Sequence, residues 1–275
     1  MPSFTGKTFA NFYKNILGIN QASNTGVDAT TRVVQDGAGN DSSLSLSDDV
    51  LQVKPVNDNT TGTLLAKNAG GNNILAVDTT NSQVLVGAGQ VATNTQYAHF
   101  GVGYADTAGA ASYAADTHYA VPFMRMNFGG AAANRALGTS TTSSFNDTEP
   151  ATSLTIATTA MDILVGYWYV MDDITIDRVI WWQAADTATG DSTAAYLMGY
   201  TVDAGTSSTG GDLSSGVKLA SSSTVTNAGY EQAYYNQMTI HSANVDAGKV
   251  ILFTFAADTV NSDYTINATI KFHIR

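Results

Sequence analysis

Only two of the 275 residues are glutamate, Glu149 and Glu231, whereas 36 are threonine. Glutamate and lysine furnish the exposed faces of helices, while threonine, branched at Cβ, favours the pleated backbone of strands. Asparagine and 25 glycines supply the turns that such strands need. A mostly helical fold is thereby excluded and an all-β fold is expected. Charged residues make up 13% of the chain, about half the usual share. The polar surface is therefore largely uncharged, and the 44% hydrophobic content is ordinary for a chain with a core.

Twelve Lys and Arg against 23 Asp and Glu give a net charge of -11 and a pI near 4.4. Nucleic acid and anionic membrane are disfavoured as main partners, since both require a basic surface that releases counterions. With no cysteine, disulfides, thiolate catalysis and cysteine-bound zinc are excluded together. No apolar run approaches the roughly 18 residues of a membrane-spanning helix. The opening Met1-Pro2-Ser3-Phe4-Thr5-Gly6-Lys7 lacks the basic and apolar regions of a secretory signal, so synthesis as a soluble cytoplasmic protein is expected.

Composition divides the chain into four segments. Residues 1–40 read as an arm. In it Phe9, Phe12, Tyr13 and Ile16 fall on one face of a short helix, flanked by Phe4 and Leu17 and followed by an extended Gly/Asn/Thr/Asp-rich tether. So short a helix cannot bury its apolar face alone, which leaves docking on another chain, or folding back on its own domain.

Residues 41–91 carry short strand signals about every ten residues, with turn clusters such as Asn57-Asp58-Asn59 and Asp78-Thr79-Thr80-Asn81-Ser82 between them. This is the outline of a β-meander. Leu64, Leu65, Ile74, Leu75, Val77, Val84, Leu85 and Val86 make these ribbons apolar on both sides. A small sheet with two apolar faces calls for association with copies of itself.

Residues 92–145, rich in Ala and Gly, read as a connector, with one strand opened by Pro122 over 121–128. Residues 146–275 are the most regular. Ile266, Ala268, Ile270, Phe272 and Ile274 alternate with Thr265, Asn267, Thr269, Lys271 and His273, predicting one buried and one outward face. Val250–Phe255 is apolar on both faces, as a central strand requires. Further strands are expected at 153–158, 163–170, 174–182, 194–202, 217–220 and 230–240. About eight strands in this region fit an antiparallel β-sandwich of jelly-roll type.

No constellation with catalytic specificity is present: no Gly-x-Ser-x-Gly elbow, phosphate loop, His-Glu-x-x-His or dinucleotide fingerprint. His99, His118 and His241 stand apart from any carboxylate pair at ligand spacing, and His273 falls on an outward strand face. The expectation is a non-enzymatic protein without cofactors. Asp48-Asp49, Asp172-Asp173 and the Asp186/Asp191 loop offer oxygen ligands to calcium, but isolated aspartate pairs serve more often as turn formers. Trp168, with Tyr167 and Tyr169, and the Trp181-Trp182 pair each place at least one large ring away from the sandwich interior, with Tyr230, Tyr234 and Tyr235 as a further cluster. Such rings are candidates for contact with a glycan or, as the favoured alternative, with a neighbouring subunit.

Three stretches carry a resemblance: Lys7–Lys14, Leu44-Ser45-Leu46-Ser47-Asp48-Asp49-Val50-Leu51-Gln52-Val53-Lys54-Pro55, and Asn73–Gly87 with its strand, Asp-Thr-x-Asn-Ser turn and second strand. They resemble accessory virion proteins of tailed bacteriophages, and the C-terminal region resembles in architecture the jelly-roll modules of head fibres, tail fibres and capsid decorations. The resemblance implies a homotrimeric meander. It also implies a virion location after assembly in the bacterial cytoplasm, and an N-terminal arm docked on the major capsid protein or another virion subunit. Decoration or reinforcement of the particle is the expected function. The alternatives are a short tail fibre or spike adhesin binding host cell-surface polysaccharide, a depolymerase acting on that polysaccharide, and a cellular surface-layer protein.

Overall fold

Short runs of Val, Ile, Leu, Thr and aromatic residues, punctuated by Gly, Asn and Asp turns, fold into antiparallel strands. The computed structural model describes residues 16–21, 26–87, 91–104, 113–124, 136–139, 150, 152–155, 166–186, 190–203, 212–229 and 232–275. Among these residues there is no helix, and the all-β expectation holds. The chain divides into two units, Met1–Thr93 and Asn94–Arg275.

The first unit contains two four-stranded sheets. β1 (Gly18–Ile19), β2 (Arg32–Gln35), β3 (Asp41–Leu46) and β4 (Leu51–Val53) pair in chain order. Residues 18–35 thus supply two strands where an extended tether was expected. The cause lies in the register: Ile19 opposite Val34, Leu44 opposite Val53 and Leu46 opposite Leu51 assemble one apolar face that neither hairpin makes alone. The tight turn between β2 and β3 is closed by Asp36, whose carboxylate accepts the backbone N–H groups of Ala38 and Asn40, each at 2.9 Å. The second sheet is β5 (Leu64–Lys67), β6 (Asn73–Asp78), β7 (Gln83–Val86) and β8 (Val91–Ala92), again in chain order.

The second unit holds two larger antiparallel sheets. The following strands build them: β9 (Thr95–Tyr104), β10 (Thr117–Val121), β11 (Ala136–Thr139), β12 (Leu154–Thr155), β13 (Tyr167–Tyr169), β14 (Ile174–Ala185) and β15 (Ser192–Asp203). The rest are β16 (Asp212–Ser221), β17 (Val225–Thr226), β18 (Ala233–Gln237), β19 (Thr239–Ile240), β20 (Asn244–Val245), β21 (Lys249–Ala257) and β22 (Tyr264–Ile274). One sheet has the order β11-β10-β21-β15-β16-β12, with β13, β17 and β19 added at strand ends. The other has the order β18-β14-β22-β9, with β20 beside β14. β9 and β10 fall inside the segment read as a connector; glycines at 101 and 103 mask the alternation of Ala98, Phe100, Val102 and Tyr104, all buried. Of the strand expected over 121–128, Val121 closes β10, Pro122 has no N–H for the ladder, Phe123 makes an isolated bridge to Phe100, and 125–128 lie outside the described residues.

The two sheets meet along an aromatic seam. Phe255 of β21 lies 5.6 Å from Tyr104 of β9, 6.3 Å from Trp181 of β14 and 5.1 Å from Tyr264 of β22. Phe253 reaches Phe100 at 6.0 Å and Trp181 at 6.5 Å. On β22, Ile266, Ala268, Ile270 and Phe272 are buried and Ile274 packs against them, as the alternation predicts. The other face of β21 and β15 carries a second apolar cluster with Tyr196, Met198, Tyr200, Val250 and Leu252. That is why Val250–Phe255 is apolar on both sides. All three tryptophans, Trp168, Trp181 and Trp182, belong to this unit. Phe255→Ala removes the ring that ties four strands together and should cost about 3–5 kcal/mol. Denaturant unfolding followed by tryptophan fluorescence reads this unit alone and should show the midpoint falling accordingly.

Candidate functional site

The expected anchoring residues Phe4, Phe9, Phe12 and Tyr13, and with them most of the expected helix, lie outside the described residues. Ile16 and Leu17 are described; both are exposed, in irregular backbone leading into β1.

The expected association residues are brought together on β5–β8. Leu64 and Ala66 lie opposite Val77 and Leu75, which lie opposite Val84 and Val86, and Val86 opposite Val91. One face of this sheet is therefore apolar from edge to edge, with Leu64, Val84, Val86 and Val91 all more than a third exposed. The other face carries Leu65, Ile74, Ala76, Leu85 and Ala92, among which Leu65 and Ile74 are exposed. Asp78 ends the apolar run and fixes the β6–β7 turn: its carboxylate accepts the backbone N–H of Asn81 at 2.9 Å and its side-chain N–H at 2.8 Å.

The tryptophans separate. Trp181 is fully buried in the seam, so it is corrected from a candidate contact to a core residue. Trp168 is half-buried, stacked on Phe123 at 5.9 Å and against Phe272 at 4.8 Å. Trp182 points outward, 46% exposed, with Tyr235 edge-on at 5.0 Å across the β14–β18 pair. Tyr234 turns inward, and its hydroxyl accepts the N–H groups of Ala228 and Gly229 at 2.8 Å.

Each histidine has a neighbour. His118 is buried edge-on to Tyr196, at 5.1 Å. His99 bonds Thr269 at 3.1 Å. His273, expected on an outward face, is only 9% exposed, and its Nδ1 meets Asp177 at 2.9 Å. A bulge between Ile176 and Arg178 swings Asp177 into that position. His241 Nε2 lies 2.7 Å from Ser221 Oγ, the reach of a base from a nucleophile. Among the described residues no carboxylate orients the far side of that ring, so the pair lacks the third member of a triad.

The aspartates serve local structure. Asp173 accepts the N–H of Ala247 at 2.8 Å, Asp186 that of Asp263 at 2.9 Å, and buried Asp191 faces Ser262 and Asn261 at 3.4 Å. Among the described residues no group of three or more His, Asp or Glu side chains could hold a metal ion. Sequence reasoning missed the adjacent Asp177 and Arg178, and also Tyr97 and Gln237, which join that sheet face only through cross-strand register. The sole local signal was β9 itself, where outward Tyr97 alternates with inward Ala98.

Compared with known proteins, the sequence matches no family model and no curated protein.

Three carboxyls of the first unit titrate below the usual 3.8. Asp28 is lowered chiefly by its hydrogen bond with Arg32, Asp36 by Asn40 and Asp78 by Asn81. Little of Asp78 is exposed, yet its carboxyl sits shallow enough that hydrogen bonding outweighs desolvation. A depressed folded pKa stabilises the fold fully above the unfolded value and loses that contribution as pH falls through the folded one. Carboxyl NMR titration should therefore place all three midpoints below 3.8. The first unit should lose stability as pH drops through that range, and Asp78→Ala should weaken it at neutral pH and blunt the dependence.

Proposed function

We propose that the protein is a non-enzymatic structural component of a phage virion, a homotrimer that decorates or reinforces the particle. The observation that carries the self-association is the β5–β8 sheet, apolar on both faces, with Leu64, Val84, Val86 and Val91 exposed on one and Leu65 and Ile74 on the other, although Ala76 between them is buried. Complete burial of a Val or Leu side chain is worth roughly 1.5–3 kcal/mol, so covering each half-exposed one gains about 1 kcal/mol. Strands of two to six residues make too small a sheet to supply that cover by themselves. Copies of the same sheet, arranged about an axis, present matching apolar faces to one another.

The virion setting rests on the resemblance of Lys7–Lys14, Leu44–Pro55 and Asn73–Gly87 to phage accessory proteins. In this reading the arm, whose Phe9, Phe12 and Tyr13 recur at helical spacing in the sequence, docks on the capsid or a neighbouring virion subunit. The second unit, read as a jelly-roll-like sandwich, projects outward. Its support is a pair of antiparallel sheets joined through a continuous aromatic seam. The mechanism is mechanical: sealed strands and an inserted arm hold the particle's subunits together.

In sedimentation velocity the full chain should run as three times its 28.7 kDa mass. Val77→Lys with Val84→Lys, charges set on one apolar face, should convert it to single chains whose tryptophan fluorescence is unchanged; an undiminished oligomer refutes the sheet's role. Removal of residues 2–15 should leave the oligomer intact while abolishing its recovery with purified particles. Full recovery would refute the arm's role.

A further inference from the structure

The outward face of the β18-β14-β22-β9 sheet gathers residues that the core does not use. Register sets Arg178, Lys271 and Tyr97 side by side on β14, β22 and β9. One step along lie Gln237, Ile180, Thr269 and His99, and one further Tyr235, Trp182 and Asn267. At about 7 Å per two-residue step and about 4.8 Å between strands, the three rows cover roughly 14 by 15 Å. Three aromatic rings stand exposed on it: Trp182, Tyr235 at 48% and Tyr97 at 60%. The Arg178 guanidinium is held in place, donating from Nε and Nη2 to Gln237 Oε1 at 3.0 and 2.7 Å and from Nη2 to the Tyr235 hydroxyl at 3.2 Å.

The charges on this face are only partly compensated. Like charges directly opposite each other weaken a strand pair, yet Arg178 and Lys271 are cross-strand partners. A carboxylate beside them, Asp177, hydrogen-bonded to His273, offsets only one of the two positive charges. Among the described residues neither cation has an ion-pair partner. In a chain of net charge -11 this is a locally positive place. An anion lying between the two cations would relieve their repulsion, and the open Nη1 edge of a guanidinium fits a carboxylate.

We infer that this face binds an acidic polysaccharide. A pyranose ring stacks on Trp182 and Tyr235, and a uronate-type carboxylate of the same chain lies between Arg178 and Lys271. Nucleic acid is a poorer fit, because two cations neutralise too few phosphates to hold it on an acidic protein. A second copy packed through the same patch would set its own Arg178 and Lys271 against these cations. The inference stands on this face alone and is independent of how the first unit associates.

Affinity electrophoresis of the full chain in gels containing alginate, polygalacturonate or neutral dextran tests it. Retardation by alginate or polygalacturonate but not dextran is expected, weakening as salt rises. The dissociation constant should rise at least tenfold in Trp182→Ala and in Arg178→Gln with Lys271→Gln, variants whose unfolding midpoints are expected to match the parent. The inference is overturned by no retardation in either acidic gel, by undiminished retardation of the variants, or by equal binding to dextran or to a single-stranded DNA oligonucleotide. A change of sedimenting mass in Trp182→Ala, which would mark the face as a subunit interface, also overturns it.

Discussion

A sheet of four strands, two to six residues long, cannot hide apolar side chains on both of its faces unless something lies on each. This constraint governs the first unit. Leu75 and Val77 face one way with Leu64, Val84, Val86 and Val91, while Leu65, Ile74 and Leu85 face the other. The turns that hold these strands are well made, with Asp78 and Asn81 satisfying each other and the backbone. Local structure is thus specified more firmly than its burial. The sheet has a defined register and exposed apolar faces, and on this the proposed association of copies rests.

The second unit obeys the opposite logic. Its largest buried residues, Trp181, Tyr104, Tyr200, Tyr264, Phe100, Phe253 and Phe255, fill its own interior. Burial raises the hydroxyl pKa of Tyr104, Tyr200 and Tyr264, as expected of phenols removed from water. With its stability supplied internally, this unit is free to carry function on its outward sheet face. A rigid, hydrogen-bonded strand array also places side chains such as Arg178 and Trp182 more firmly than a loop does.

What the sequence made legible follows from the range of each signal. Alternation over Tyr264–Ile274 and the run Val250–Phe255, apolar but for Thr254, are strand-local, and both appear in the structure as read except at His273, which is buried. Adjacent Trp181 and Trp182 had to point to opposite faces, though only register showed that Trp181 takes the core. β1 and β2 were hidden because Ile19, Val33 and Val34 are sparse within Gly, Asn and Asp, and their apolar face forms only beside Leu44 and Val53. β9 was hidden by its glycines. The bulge at Asp177, which brings its carboxylate to His273, leaves no mark in the sequence. Nor does the meeting of Tyr97, Arg178 and Lys271, which lie far apart in the chain.

Hydrogen exchange at the Leu75, Ala76 and Val77 amides, followed as the protein is diluted, tests the dependence of the first unit on association most directly. The account predicts strong protection while the oligomer persists and its collapse once sedimentation shows a single 28.7 kDa chain. Protection that stays high in the isolated chain would contradict it.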